Sequence, residues 1–302
     1  MVVVITGASG FIGSAVTERL LPRHAIRSLT SHPQKNRFGE RVRSILYDFE
    51  RPERMDEAFE GADAFVHSYY IRFPHAGDTF ERAVARAGVL FDRARRAGVR
   101  RIVHVSVSNA NEASDLAYYR NKGRLERLVR ESGLEFAILR PALVFGPGDI
   151  LLNNIAWFLR RAPLFGIFGD GAYRVQPVSL EGFAALIAEA VDSPGSGAIT
   201  DVAGPDDYTY LDVVRLVRAA VGSRAALIRM PAPLALAASW ATGFLVRDVI
   251  LTRDEAKGLT EEYLYSPHPR RVGESLENWL ERGDVRDDLG RAYVSELERH
   301  FR

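Results

Sequence analysis

The start of the chain constrains its fold more than any other stretch, because a strand, a glycine-rich turn and a helix follow one another there. Val2 to Ile5 are all β-branched, which is typical of a strand buried on both faces of a parallel sheet. Gly7, Gly10 and Gly13 follow at three-residue spacing, and helical periodicity continues to Leu21. This order predicts the first unit of an α/β fold of the Rossmann type, with a doubly wound parallel sheet.

The glycine spacing also predicts a ligand. Gly7 permits a tight turn, Gly10 lets the backbone approach a pyrophosphate, and Gly13 allows the helix to pack closely on the strand. The N-terminus of the helix presents N–H groups and the positive end of its dipole. The predicted dinucleotide contacts are Gly7, Ser9, Gly10, Phe11, Ile12 and Gly13. A βα turn without a ligand is the alternative.

The tip of the second strand, predicted over 24–30, indicates which dinucleotide would bind. In dinucleotide folds an acidic residue there binds the ribose 2′-hydroxyl, whereas basic residues receive a 2′-phosphate. Residues 30–37 include no Asp or Glu, and the polar candidates are Thr30, Ser31, His32, Lys35 and Arg37. Hydroxyls and cations suit a phosphate, so NADP is favoured, with NAD as the alternative. Lys35 and Arg37 could equally belong to a solvated basic loop.

Candidate catalytic residues follow the fifth strand, predicted over 101–108. Ser106 and Ser108 share one face of that strand, and either could hold a substrate oxygen. Tyr118 and Lys122 lie four apart on a predicted helix and therefore on one helix face. A neighbouring ammonium favours phenolate and lowers a tyrosine pKa from about 10, which suits a proton donor. Only three of the 40 basic residues are lysines, so a lysine at 122 is itself informative.

An aromatic pair follows the fourth strand, which is predicted over 64–68. Tyr69 and Tyr70 come just after its carboxyl end, where ligands bind in open α/β sheets. Together with Arg72 and Phe73 they could form the wall of a nicotinamide or substrate pocket, or they could pack the loop.

Composition excludes several classes of protein. A net charge of +1 without a dense basic cluster gives no reason to expect nucleic acid as a partner. Zero cysteines exclude disulfides, thiolate nucleophiles and cysteine zinc sites, and the seven histidines form no His-x-x-x-His pair, so no metal is expected. The apolar stretch 231–246 is too short for a spanning helix and includes two prolines. A strand that begins beside Met1 leaves no room for a signal peptide, and a cytoplasmic location is expected.

The domain organisation is predicted from the order of the elements. We expect a nucleotide-binding domain over 1–150, its sheet completed by about 176–202, and a smaller α/β substrate or interaction lobe from 151–175 and 203–302. The aromatic residues from Trp240 onward, including Trp279, are expected to pack the C-terminal helices onto the body. An exposed patch for a partner or a membrane surface is the alternative.

Several of these segments together resemble the short-chain dehydrogenase/reductase superfamily, in its extended and atypical branches. They are Thr6-Gly-x-x-Gly-x-x-Gly13, Asp48, Tyr118-x-x-x-Lys122, Leu139-Arg-Pro-x-x-Val-Phe-Gly-Pro-Gly-Asp149 and Gln176-Pro-Val-Ser-Leu-Glu181. The resemblance covers about residues 1–220. Within the superfamily the chain is most similar to NAD-dependent epimerase/dehydratase family proteins, a group that includes NmrA-like regulators and the nucleotide-binding accessory subunit of respiratory complex I.

The resemblance implies a Ser-Tyr-Lys active site beside the cofactor. Tyr118 would be the acid/base, Lys122 its activator and a ligand of the ribose, and Ser108 or Ser106 would orient the substrate oxygen. The implied cofactor contacts from later strands are Asp48 and Phe49 beside the adenine, His67, Ser68 and Tyr69 along the cofactor, Pro141 near the nicotinamide, and Val144.

Three functions follow. The leading one is an NADP-dependent oxidoreductase or epimerase-like enzyme that moves hydride between the nicotinamide and a carbinol or carbonyl carbon. The second is a low-turnover dinucleotide-binding regulator or assembly subunit, and the third is a sugar-nucleotide epimerase or dehydratase. The short interval from Ser108 to Tyr118 and the non-acidic tip of the second strand disfavour the third. The substrate is a small molecule of undetermined identity, and a homodimer is compatible with the sequence.

Overall fold

The computed structural model describes residues 1–193, 195, 197–295 and 297, with all their side chains except those of Ala232 and Leu245. The end of the lobe predicted over 203–302 therefore lies outside the described residues. The described chain forms two compact units. The first comprises Met1–Pro141, Leu180–Val202 and His268–Arg270, and the second comprises Ala142–Ser179, Ala203–Pro267 and the described residues from Arg271 onward.

The elements are numbered in chain order. The strands are β1 (Val2–Thr6), β2 (Ala25–Thr30), β3 (Val42–Leu46), β4 (Ala64–His67), β5 (Arg101–Val105), β6 (Glu135–Pro141), β7 (Leu143–Phe145), β8 (Leu164–Phe168), β9 (Arg174–Val175), β10 (Pro177–Ser179), β11 (Ala198–Ala203), β12 (Tyr208–Thr209), β13 (Ala226–Met230) and β14 (Arg270–Arg271). The helices are α1 (Phe11–Leu20), α2 (Asp56–Phe59), α3 (Phe80–Arg96), α4 (Ala117–Glu131), α5 (Ile150–Arg161), α6 (Leu180–Asp192), α7 (Tyr210–Ala220), α8 (Ala232–Val246), α9 (Arg253–Thr260), α10 (Leu276–Glu281) and α11 (Gly283–Asp288).

The first unit is built on a parallel sheet. Its strands lie in the order β3-β2-β1-β4-β5-β6-β11, with β14 beside β11 at the edge. Every pairing from β3 to β11 is parallel. The order 3-2-1-4-5-6 is that of the doubly wound Rossmann sheet, which confirms the predicted fold class. The strand order reverses between β1 and β4, and ligands bind in such folds at the carboxyl ends of the strands beside that point.

Helices cover the sheet in two layers because the chain winds in opposite directions from the switch point. Helix α1 packs against α6, whereas α3 packs against α4 and α2. The layer formed by α2, α3 and α4 packs on the sheet through a cluster of fully buried apolar side chains that includes Phe59, Phe65 and Leu90. The rings of Phe59 and Phe65 meet edge to face at 5.1 Å. This packing holds the strand ends, and therefore the loops that follow them, in fixed positions.

Local sequence signals set the ends of α3. The Thr79 side chain accepts a hydrogen bond from Arg82 N at 3.1 Å and begins the helix. Gly98, with φ of +77°, follows its last turn in the left-handed conformation that glycine adopts without strain. A long helix therefore joins the loop after β4 to β5.

The second unit combines short two-stranded sheets with helices. Strands β7 and β10 pair in parallel, as do β8 and β13, whereas β9 and β12 are antiparallel. Its apolar core includes Phe145 and Trp279, whose ring centroids lie 5.4 Å apart. Within the predicted return to the sheet over 176–202, β11 joins the large sheet, but β10 pairs with β7 in the second unit.

Candidate active site

The glycine turn has the shape that its spacing predicts. Gly7 has φ of +65°, and its N–H donates to Leu29 O at 2.7 Å. A Cβ atom at Gly13 would lie 2.1 Å from Gly7 O, so only glycine lets α1 begin this close to the turn. The N-terminus of α1 has no side-chain cap at Gly10 and no acidic residue in its first turn. This arrangement fits an anion such as a pyrophosphate.

The loop after β2 lies against the glycine turn. Arg37 N donates to the hydroxyl of Ser9 at 3.3 Å. His32 N donates to Thr30 Oγ1 at 3.1 Å, and a 3₁₀ turn over Pro33–Lys35 follows. The guanidinium of Arg37 pairs with Glu18 at 2.5 Å, whereas Lys35 and Ser31 are exposed. Lys35 is therefore better placed than Arg37 to contact the 2′-phosphate that distinguishes NADP from NAD.

Three aromatic rings from the segments that follow β3 and β4 form a cluster. Phe49 stacks on Tyr47 at 5.3 Å, and Tyr69 contacts both rings at 5.4 and 6.0 Å. The hydroxyl of Tyr69 accepts a hydrogen bond from the Arg86 guanidinium at 3.1 Å, and that guanidinium lies 5.1 Å from the centroid of Phe49. Asp48, between Tyr47 and Phe49, accepts hydrogen bonds from the backbone and side chain of Arg51. These bonds hold the pKa of Asp48 below its usual value, so it stays ionised.

Ser68 joins the ends of β4 and β1. Its hydroxyl donates to Thr6 O at 2.9 Å, and its backbone N–H donates to Thr6 Oγ1 at 2.7 Å. These bonds hold together the two strands between which the sheet order reverses. Ser68, which the resemblance implies as a cofactor contact, is thus hydrogen-bonded to Thr6 in this structure.

A buried pair of histidines lies near the carboxyl ends of β4 and β5. The parallel register sets His67 of β4 beside His104 of β5, and their Nδ1 atoms are 2.9 Å apart. Both side chains are fully buried, and burial lowers both pKa values, that of His67 to about 3. Both rings are therefore neutral near pH 7. One ring must donate from Nδ1 and the other accept there, so the two hold opposite tautomers.

Lys122 is buried on α4, near the histidine pair. Its Nζ donates to Val105 O at 3.2 Å and lies 4.4 Å from the centroid of the Tyr70 ring. Burial lowers the pKa of Lys122 from 10.5 to about 8, and the carboxylate of Glu126 partly offsets that effect. A lysine of this kind is mostly charged at pH 7 and close to its titration.

Tyr118 precedes Lys122 by one helical turn and is half-buried among aromatic rings. Its ring centroid lies 5.5 Å from Tyr70, 5.9 Å from Phe80 and 5.3 Å from Tyr119. The Tyr70 hydroxyl donates to Tyr118 O at 3.4 Å. Tyr70, Tyr118 and Lys122 therefore form one contiguous group in the first unit.

The two candidate serines follow the end of β5. The strand ends at Val105 rather than at the predicted 108, although Ser106 N and Ser108 N still donate to Leu139 O and Pro141 O. The hydroxyl of Ser106 donates to Glu126 Oε1 at 2.5 Å, and Glu126 also pairs with Arg140. Ser106 is thus held in an ionic network. Both serine side chains are buried, so burial does not choose between them.

Sequence reasoning missed some of the side chains around Lys122. It also included Val144, which lies outside the first unit. His104, Tyr70 as the partner of Lys122, and Glu126 were not predicted. Glu126 follows Lys122 at helical spacing, which is a signal that could have found it. Val144 belongs to β7 in the second unit. In the described part of the chain, no group of three or more histidine, aspartate or glutamate side chains is arranged to hold a metal ion.

The buried Lys122 predicts a pH dependence of stability. An unfolded lysine keeps its proton up to about pH 10.5, whereas folded Lys122 loses its proton near pH 8, so stability rises with pH between these values. The free energy of unfolding of the wild type, relative to Lys122→Met, should rise across this window by on the order of 2–3 kcal/mol. Urea titrations at several pH values measure the difference.

Lys257→Met is the matched control, because that lysine is 42% exposed and lies 3.7 Å from Glu261. Its difference from the wild type should stay nearly constant with pH. A pH-independent difference for Lys122→Met as well would show that Lys122 titrates normally in the folded protein.

The strand order, the glycine turn and the helix N-terminus define a dinucleotide-binding α/β protein. Residues 7–146 match the family described as NAD(P)H-binding. The chain therefore has an NAD(P)-binding domain, and the resemblance seen in its motifs agrees with this match.

Three relatives illustrate its range. The chain is 28% identical over 239 residues to ceramide reductase of Caulobacter vibrioides, with 77% of this chain and 74% of that protein covered. It is 27% identical over 179 residues to mitochondrial NADH dehydrogenase (ubiquinone) 1 alpha subcomplex subunit 9 of Arabidopsis thaliana, with 56% of this chain and 44% of that subunit covered. The chain thus spans less than half of that subunit. The UDP-glucose 4-epimerase of Thermus thermophilus, solved in complex with NAD, has the same fold, with a TM-score of 0.65 and 20% identity over 87% of this chain and 99% of that chain.

Proposed function

We propose that this protein is an NADPH-dependent reductase that converts a carbonyl compound to the alcohol. The observation that carries the proposal is the Tyr118–Lys122 pair on one face of α4, with Lys122 buried and its pKa lowered to about 8. Burying an ammonium costs free energy, so a lysine with only a structural role is expected at the surface. The burial of Lys122 therefore supports a functional role. The similarity to a ceramide reductase supports reduction as the direction and a carbonyl on a long-chain molecule as the substrate.

Different residues of the first unit would bind the cofactor and transfer the proton. The α1 N-terminus and the glycine turn would hold the pyrophosphate. NADPH supplies the hydride when bound. Tyr118 would donate the proton to the carbonyl oxygen, Ser108 would orient that oxygen, and Lys122 would bind the ribose and favour the phenolate form of Tyr118. The aromatic cluster of Tyr47, Phe49 and Tyr69 would flank the adenine, with Asp48 beside it.

The test is NADPH oxidation with a panel of aldehydes and ketones that have short and long acyl chains. We expect turnover with at least one long-chain compound and recovery of the corresponding alcohol. Tight NADPH binding without turnover of any compound in the panel would instead favour a binding role.

The choice of cofactor follows from the loop after β2, and its test is a charge reversal. Lys35→Glu should raise the Kd for NADPH by roughly tenfold or more while the Kd for NADH changes little, because a charged hydrogen bond to the 2′-phosphate is lost. Isothermal titration with both nucleotides measures the change. Lys257→Glu, which alters the charge equally in the second unit, is the control.

If Lys35→Glu weakened NADH and NADPH binding equally, the lysine would not contact the 2′-phosphate. Tighter binding of NADH than of NADPH by the wild type would reverse the proposed cofactor preference.

A second candidate, a dinucleotide-binding assembly subunit with little turnover, is favoured by two observations. The Tyr118 ring lies against three aromatic neighbours, Tyr70, Phe80 and Tyr119, and the chain resembles a subunit of NADH dehydrogenase. A sugar-nucleotide epimerase is supported only at the level of fold. The substrate-binding role of the C-terminal lobe, the cytoplasmic location and the homodimer stay predictions.

A further inference from the structure

Helix α8 of the second unit is apolar on both of its sides and carries no charged residue. Its inner side packs on the unit, where Ala235 joins a cluster with Phe168 and Ala256. Gly243 is also buried, and a Cβ atom there would lie 2.6 Å from Asp248 O. This packing explains one side of the helix and leaves the other side to be explained.

The outer side exposes large apolar side chains. Leu234 is 60% exposed, Trp240 78% and Phe244 77%. With 3.6 residues per turn these three fall within about 120° of the helix circumference. The same arc contains the exposed residues Pro233, Ala237 and Ala241, and the exposed Ala238 lies about 40° beyond it. The aromatic packing predicted for this region is therefore right for Trp279, which is 3% exposed, and wrong for Trp240. Together the outer residues form an apolar face.

An exposed arginine lies beyond each end of this apolar face. The chain as a whole has a net charge of +1, yet residues 213–247 include five arginines and no acidic residue. Arg229 precedes α8 and Arg247 follows it, and both are exposed. An apolar face with cations at both ends is complementary to a layer of anionic headgroups over hydrocarbon, where Trp and Phe rings settle at the boundary. A neutral apolar partner would not account for the arginines.

We propose that α8 docks the protein on the surface of an anionic lipid bilayer, with Leu234, Trp240 and Phe244 inserted at the boundary between headgroups and acyl chains. Arg229 and Arg247 would then contact lipid phosphates. The helix has 15 residues and is about 22 Å long, which is too short to cross a bilayer but suits a helix lying in its plane. In the described part of the chain no helix qualifies as a membrane span. The proposal does not depend on the catalytic role of Tyr118.

The test is flotation of the full-length protein with lipid vesicles. We expect it to float with vesicles of phosphatidylglycerol and phosphatidylcholine in equal parts, much less with phosphatidylcholine alone, and less as salt is added. The double variant Trp240→Ser, Phe244→Ser should reduce binding at least about tenfold, because both inserted rings are lost. Both side chains are more than three-quarters exposed, so its thermal midpoint should match that of the wild type.

Two variants separate the contributions of charge and insertion. Arg229→Glu with Arg247→Glu should abolish the preference for the anionic vesicles, whereas Arg100→Glu, at an exposed site in the first unit, should leave it unchanged. Trp240→Phe should keep binding but remove the blue shift of tryptophan emission that vesicles cause in the wild type. These readings do not require that the double serine variant be stable.

Equal flotation with both vesicle types, or none with either, would overturn the proposal. So would full binding by the double serine variant, or a blue shift that persists in Trp240→Phe. A wild type that is dimeric in solution, is made monomeric by the serine pair and does not bind vesicles would show that the apolar face joins two copies of this chain instead.

Discussion

Tyr118→Phe should lower the kcat for carbonyl reduction by about 10²–10⁴-fold, the usual contribution of a positioned proton donor. Phenylalanine keeps the ring that packs on Tyr70 and Phe80, so the fold and the Kd for NADPH should change little. Steady-state kinetics with the best substrate of the panel, together with titration of NADPH, separate the two effects. A loss confined to kcat would place Tyr118 at the chemical step.

Tyr119→Phe is the matched control, since it removes the same hydroxyl from the next residue of α4, which is 8% exposed. It should retain wild-type kcat. Wild-type kcat in Tyr118→Phe would remove the proton-donor assignment. A rise in the Kd for NADPH comparable to the fall in kcat would mean that Tyr118 supports the nucleotide site instead.

Gly13→Ala should weaken dinucleotide binding and destabilise the first unit. The added Cβ would lie 2.1 Å from Gly7 O and 2.8 Å from Gly7 C, and both are backbone atoms that cannot rotate away. Moving α1 or the turn should reduce the free energy of unfolding by about 1–3 kcal/mol. It would also misplace the N–H groups at the helix start, and losing one charged hydrogen bond raises Kd by roughly tenfold or more. Urea unfolding and NADPH titration measure the two effects.

Gly88→Ala serves as the control for an added methyl group. A Cβ atom at Gly88, inside α3, has its nearest neighbour at 3.8 Å, the Cδ1 of Leu128, which is an ordinary contact. Alanine should therefore raise stability by about 0.5–1 kcal/mol through its higher helix propensity. Unchanged NADPH affinity in Gly13→Ala would refute the assignment of the pyrophosphate to this turn.

The fold of the first unit was predictable because its signals are local. The β-branched run and the three glycines predicted β1, the turn and α1. Thr209 begins α7 through a capping box with Asp212, as a threonine before a helix indicates. The short strands β8 and β13 were missed, because each has only five residues and gains its stability from pairing with the other.

The candidate site was predictable in its residue types and less so in its contacts. Tyr118 and Lys122 share a helix face because of their spacing alone. The two serines have the same residue type and nearly the same position. That Ser106 donates to Glu126, which lies on a different element, is decided only by the tertiary structure.

The sequence by itself determined the strand, glycine turn and helix at the start of the chain and the NAD(P)-binding fold that they begin, because backbone sterics and hydrophobic periodicity act between near neighbours. Tertiary structure decided the rest. His67 meets His104, 37 residues away, only because β4 and β5 pair in one register. Trp279 is buried and Trp240 is exposed although both lie on helices, because burial depends on which distant surfaces a helix face meets. Contacts of this kind depend on how the helices and strands pack together, and the spacing of residues along the chain does not predict that packing.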